Sequence, residues 1–122
     1  MGDCVSHPHV AQRRAVVTGA AGGIGLAITE VLLARGDKVI AADLDADRLA
    51  DVAERLGVDA WAGDVSSQAG VTRLLAFADG RLGGIDAYFA NAGVFRGSGL
   101  SASDADWGAS LEVNLMAHVR AA

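Results

Sequence analysis

The 122-residue sequence holds one cysteine, one proline and one lysine. A lone Cys4 cannot close a disulfide within the chain, so no disulfide framework holds the fold, and a cytoplasmic setting is favoured. With Pro8 the only proline, and 52% of the residues hydrophobic against 20% charged, a proline-rich or disordered chain is excluded. Lysine and arginine together number 10 against 15 acidic residues, a net charge of −5, and only Arg13 and Arg14 are adjacent. That distribution has no basic face for nucleic acid. No stretch reaches the roughly 20 apolar residues that span a bilayer. Residues 1–13 lack the apolar centre of a secretory signal, and they read as a flexible arm. His7 and His9 flank Pro8 there without further ligands, so no metal site is expected.

Glycine, by contrast, is abundant. Four of the 16 glycines fall in the stretch VVTGAAGGIG, residues 16–25. Glycine costs about 0.5–1 kcal/mol relative to alanine inside regular structure, so such a cluster needs a use that outweighs the cost.

The surrounding pattern gives the cluster a place. Short apolar runs at 15–17, 38–42, 58–62 and 85–90 have the length of buried strands. Between them, Ile24, Ile28, Val31 and Leu32 repeat at helical spacing and are closed by Gly36. Leu49, Val52, Ala53 and Leu56 do the same before Gly57, and Val71, Leu74, Leu75, Ala78 and Leu82 before Gly83. A fourth helix is expected from about Ser103 or Asp104, with Ser101 and Asp104 spaced as a capping box. Its stripe is Trp107, Leu111, Asn114, Leu115 and His118, with Asn114 turned inward. Alternation of this kind predicts an α/β fold: one doubly wound parallel sheet of about four strands and four helices, running from residue 14 to 122.

The glycine cluster then joins the first strand to the first helix, beyond the carboxyl end of the sheet, where ligands bind in open α/β folds. Glycines there allow positive φ and close approach of a pyrophosphate. The helix N-terminus adds unpaired N–H groups and about half a positive charge. On the loop alone, a tight turn without a ligand explains the residues as well. The spacing Gly19-x-x-x-Gly23-x-Gly25 is neither the usual G-x-G-x-x-G fingerprint nor a P-loop.

The stretch Thr18-Gly19-Ala20-Ala21-Gly22-Gly23-Ile24-Gly25 resembles the Thr-Gly-x-x-x-Gly-x-Gly cofactor motif of the short-chain dehydrogenase/reductase family. Three further stretches follow in that family's order: Asp64-Val65, Ala90-Asn91-Ala92-Gly93 (alanine standing where the family has a first asparagine) and Val113-Asn114-Leu115. The resemblance implies a Rossmann-like NAD-binding half-domain, with the loop at the pyrophosphate and Asp64 and Val65 at the adenine. Asn91, Ala92 and Gly93 would line the cofactor, and Asn114 would support catalysis. Asp43, with Leu44 beside it, ends the second strand 18 positions after Gly25, close to the separation at which an acidic residue meets the adenosine ribose. A carboxylate there accepts from both ribose hydroxyls and repels the 2′-phosphate of NADP, which points to NAD.

The family's chemistry also uses a serine and a Tyr-x-x-x-Lys pair. Here Tyr88 has Ala92 four positions on, and Lys38 lies in the second strand. The expectation is therefore the N-terminal, cofactor-binding half of a longer enzyme that acts by hydride transfer on an alcohol or ketone. Its partners would be a small-molecule substrate and, as in many family members, a second copy of the chain met through the last helix. The half alone is expected to be inert. The rival reading is a nucleotide-sensing or scaffold protein that keeps the fold without the catalysis. An S-adenosylmethionine-dependent methyltransferase is disfavoured by Thr18-Gly19.

Overall fold

The computed structural model describes residues 12–93 and 99–122. Strands β1 (Arg14–Thr18), β2 (Lys38–Asp43), β3 (Asp59–Ala62) and β4 (Ala87–Phe89) form one parallel sheet in the order β3-β2-β1-β4. The chain runs outward from β1 through β2 to β3 and then returns to the other side of β1. That reversal puts a topological switch point between β1 and β4, where a crevice opens at the carboxyl ends of the strands.

Alternation along the strands decides which helices cover which face. Ala15, Val17, Val39 and Ala41 point to one face and pack with Leu32 of α1 (Gly23–Ala34) and Leu49 of α2 (Ala46–Leu56). Val16, Ile40 and Ala42 point to the other, against Val71, Leu74 and Ala78 of α3 (Gln68–Leu82). Both faces are covered, which is why the central strands are apolar almost throughout. Each fully buried side chain such as Ile40, Leu49 or Leu74 contributes about 1.5–3 kcal/mol of burial free energy. The sheet is thus Rossmann-like and doubly wound.

Helix ends follow local chemistry. Past α1, Gly36 takes φ +89°, and the Asp37 N–H donates to the Leu32 carbonyl at 3.0 Å while that of Gly36 donates to Leu33 at 3.0 Å. This closes the helix by pairing its last carbonyls. Helix α2 is capped by Asp45 and α3 by Ser67. Ahead of β1, Gln12 Nε2 donates to the Gly36 carbonyl at 2.6 Å. Cys4, His7 and His9 lie outside the described residues.

The last helical run departs from the sequence expectation in two ways. It consists of α4 (Asp104–Leu111), a π-helical turn over Glu112–Met116, and α5 (Ala117–Ala121). Its cap is Ser103, which accepts the Asp106 N–H at 3.1 Å, not the expected Ser101–Asp104 pair. Ser101 is taken up in a 3-10 turn over Gly99–Ser101, while the helix itself starts at Asp104, where it was expected. The buried side is also different. Ala117 packs into the sheet with α3, with Ala121 partly buried beside it, whereas Trp107, Leu111, Leu115 and Val119 are 47–57% exposed. Asn114 and His118 are exposed too, so the expected inward turn of Asn114 is not found. Small alanines let α5 sit close to α3 and leave the bulky apolar side chains outside, and the π turn breaks the constant 3.6-residue period on which the stripe was read.

Candidate functional site

One buried hydroxyl fixes the switch point. Thr18, at the carboxyl end of β1, accepts the N–H groups of Asn91 and Ala92, both at 3.0 Å, and donates to the Phe89 carbonyl at 3.3 Å. Asn91 Nδ2 donates to the Thr18 carbonyl at 3.2 Å. The ends of β1 and β4 are thereby tied across the crevice, which holds the glycine loop in one place.

The loop is packed to the limit that glycine allows. Gly19 sits at φ +68°, and a Cβ there would lie 2.9 Å from Asn91 Nδ2 and 3.1 Å from the Ala92 Cα. A Cβ on Gly25 would overlap the Gly19 carbonyl, so the first turn of α1 rests directly on the loop backbone. Helix α1 starts from Gly22, which has no side chain to cap it, and its first turn carries no acidic residue. The helix's own first turn therefore sets no carboxylate against the positive end of its dipole.

Asp43 holds the loop from the β2 side. Its Oδ2 accepts the Ala21 N–H at 3.0 Å and its Oδ1 the Asp45 N–H at 2.9 Å. A carboxylate has roughly four acceptor directions, so the half-buried Asp43 keeps capacity for further donors. At the end of β3, Asp64 Oδ1 accepts the Ser66 N–H at 2.8 Å. Hydrogen bonds from the Ser66 side chain and backbone hold the Asp64 carboxyl below its ordinary value of 3.8. A Cβ on the neighbouring Gly63 would strike the Trp61 ring, so the indole fills the space beside that Cα.

These groups enclose a cavity of about 330 Å³. Of the residues expected from sequence, Thr18, Gly19, Asp43, Leu44, Asp64, Val65, Ala92 and Gly93 line it. Asn91 braces it from behind through the Thr18 contacts. Gly22 and Gly23 border a second groove on the outer side of the loop, Ile24 is 72% exposed and Gly25 is buried beneath the loop. Asn114, although exposed, is brought to the rim: its Oδ1 lies 3.2 Å from the position a Gly93 Cβ would occupy. Ala42, Asp45, Gly63 and Val113 also line the cavity and were missed. Gly63, a glycine at a strand end before an aspartate, was readable; Ala42 and Val113 look like any core residue.

The sequence model of the short chain dehydrogenase family matches residues 13–122. The chain belongs to this family. This short-chain dehydrogenase sequence is 38% identical to 1-deoxy-11-beta-hydroxypentalenate dehydrogenase of Streptomyces avermitilis over 122 aligned positions, covering 93% of the chain and 45% of that protein. A short chain dehydrogenase/reductase from Burkholderia phymatum, solved in complex with NAD, superposes with a TM-score of 0.87 at 34% identity, over 90% of this chain and 41% of the other. L-sorbose reductase from Gluconobacter frateurii, solved with NADPH and L-sorbose, gives 0.80 at 31% identity, over 92% and 45%. The chain spans less than half the length of each of these proteins. Among the described residues, no helix is long and apolar enough to cross a membrane.

Proposed function

We propose that the chain is the NAD-binding portion, residues 14–122, of a cytoplasmic short-chain oxidoreductase that interconverts an alcohol and a ketone. The observation that carries this reading is the pairing of an uncapped glycine cradle with a carboxylate. Asp43 is fixed on the crevice rim by two backbone N–H groups and still has acceptor capacity.

The residues fit a dinucleotide end to end. Backbone N–H groups of Gly19, Gly22, Gly23, Ile24 and Gly25, at the positive end of α1, suit a pyrophosphate. Asp43 and Leu44 suit the adenosine ribose, and Asp64 and Val65 the adenine. Asn91, Ala92 and Gly93 continue the wall, and Asn114 stands over Gly93 in a supporting role. Bound there, a nicotinamide dinucleotide supplies the hydride acceptor or donor. The chain's own part is to orient it and to select it. A 2′-phosphate about 4 Å from the Asp43 carboxylate is disfavoured by on the order of 1–4 kcal/mol, depending on the local dielectric.

The proton-transfer groups are assigned elsewhere in the whole protein. Tyr88 is half-buried on the face of the sheet covered by α3, away from the crevice, and burial pushes its phenol up from 10.0. Lys38 starts β2 at the opposite end of the sheet. The exposed row of Trp107, Leu111, Leu115 and Val119 suits a homo-oligomer contact.

Titration with NADH and NADPH tests the reading. Asp43→Ala is expected to weaken NADH about tenfold, roughly 1.4 kcal/mol, while NADPH affinity holds or improves. Unchanged affinities for both would remove Asp43 from the ribose site.

A further inference from the structure

We propose that Arg120 is a positioning residue for the adenine end of the crevice: its guanidinium joins the turn after β3 to the π-helical turn and so sets the gap between Val65 and Val113. The inference rests on the dinucleotide reading above.

Two apolar side chains of the crevice come from distant parts of the chain. Val65 follows Asp64 beyond the end of β3, and Val113 belongs to the π-helical turn; both line the cavity of about 330 Å³. Each is the immediate chain neighbour of a group that Arg120 holds. On the β3 side, Arg120 Nη1 donates to the Ser66 carbonyl. On the helical side, the same Nη1 lies 2.6 Å from Glu112 Oε2. One nitrogen with two N–H groups thus serves Ser66 and Glu112 together. It bridges the two chain segments that supply Val65 and Val113.

Arg120 is placed to hold firmly. It stands on α5, eight positions after Glu112, and helical side chains lean toward the helix N-terminus. Ala117, one turn earlier on α5, packs into the same cluster as Val65. The Arg120 side chain is 20% exposed, whereas the paired arginines at the amino end of the sheet are 37–54% exposed. A pair withdrawn from water is screened less than those surface pairs. Its anchor is also fixed. Asp64 Oδ1 accepts the Ser66 N–H at 2.8 Å, and a Cβ on Gly70 would overlap the Asp64 carbonyl, so the first turn of α3 rests on that backbone. Arg120 therefore ties the π-helical turn to a point that β3 and α3 already hold. A flat base held between two apolar side chains depends on their separation, because a gap wider by about 0.5–1 Å forfeits a quarter to a half of each contact.

Calorimetric binding of ADP-ribose to the protein and its variants tests this without involving the nicotinamide. Arg120→Met keeps the stem and removes the donors, and it is expected to weaken ADP-ribose about fivefold. Arg120→Lys should recover part of that loss, since an ammonium still offers three donors. Glu112→Gln keeps an acceptor without the charge and should cost about twofold. Val113→Ala removes one side of the gap outright, and in that background Arg120→Met should add less than about twofold. Losses that simply multiply in the double variant would place the role of Arg120 elsewhere and overturn the inference. So would an unchanged affinity in Arg120→Met. Urea unfolding shows whether each variant folds; if Arg120→Met does not, full affinity in both Arg120→Lys and Glu112→Gln overturns the inference instead. Failure of ADP-ribose to bind the unaltered protein would overturn the dinucleotide reading and this inference with it.

Discussion

The two ends of the sheet treat the same residue type in opposite ways. At the amino ends, aspartates face arginines: Asp86 meets Arg14 at 2.9 Å, Asp59 meets Arg81 at 3.5 Å, and Asp37 sits between Arg13 and Arg35 at 3.7 and 3.8 Å. At the carboxyl ends, Asp43, Asp45 and Asp64 are met by backbone N–H groups of Ala21, Asp45, Arg48 and Ser66. None of these three forms an ion pair among the described residues. An arginine cancels a carboxylate's charge, whereas an N–H group orients the carboxylate and leaves the charge in place. The amino end is closed by its own side chains; the carboxyl end keeps a fixed field for something that arrives from solution.

The contrast can be broken first at glycine. Gly25→Ala drives a Cβ into the Gly19 carbonyl and should lower stability by about 3 kcal/mol, since overpacking against backbone relaxes poorly. Urea unfolding would measure this, and NADH affinity should fall with it. Thr18→Val comes next. It strands the N–H of Ala92 and loosens that of Asn91 at the switch point, for about 2 kcal/mol, whereas Thr18→Ser should retain most of the stability.

The amino end is probed by acid. Arg14 holds the Asp86 carboxyl down from 3.8 to about 2, chiefly by hydrogen bonding. A lowered folded-state value means that the stabilisation is complete above 3.8 and is lost as pH falls toward 2. Asp86→Asn should therefore flatten the pH dependence of stability in that window and leave NADH binding at neutral pH unchanged. The smallest effect is a gain. Gly80 lies in α3 with open space around its Cα, and Gly80→Ala should raise stability by about 0.5–1 kcal/mol in thermal melts. One glycine-to-alanine change then costs and the other helps, according to whether the added Cβ meets backbone or open space.

What was legible in the sequence follows the same division. The alternation of strands and helices and the buried stripes of α2 and α3 could be read from apolar spacing, whereas Ile24 and Val31, read as part of the α1 stripe, are 72% and 59% exposed and α1 turns the small Gly25 and Thr29 inward instead. The glycine loop could be read because positive φ and close backbone approach leave no alternative residue at Gly19 and Gly25. Thr18 was recognised as part of the motif, but its tie to Asn91 and Ala92 joins residues more than 70 positions apart and has no local signature. The last helix was misread because its inner face is made of alanines and its outer face of large apolar residues. Hydrophobicity alone assigns those two faces the wrong way round.

The central claim is that the carboxyl end, and not the amino end, receives a nicotinamide dinucleotide. Two-dimensional NMR of the backbone amides with and without NADH tests it directly. Shifts are expected at Gly19, Ala21 to Gly25, Asp43 to Asp45, Gly63 to Val65 and Ala92 to Gly93, with Gly36 to Lys38 and Gly83 to Asp86 unmoved. Shifts concentrated at the second set, or none at saturating NADH, would contradict it.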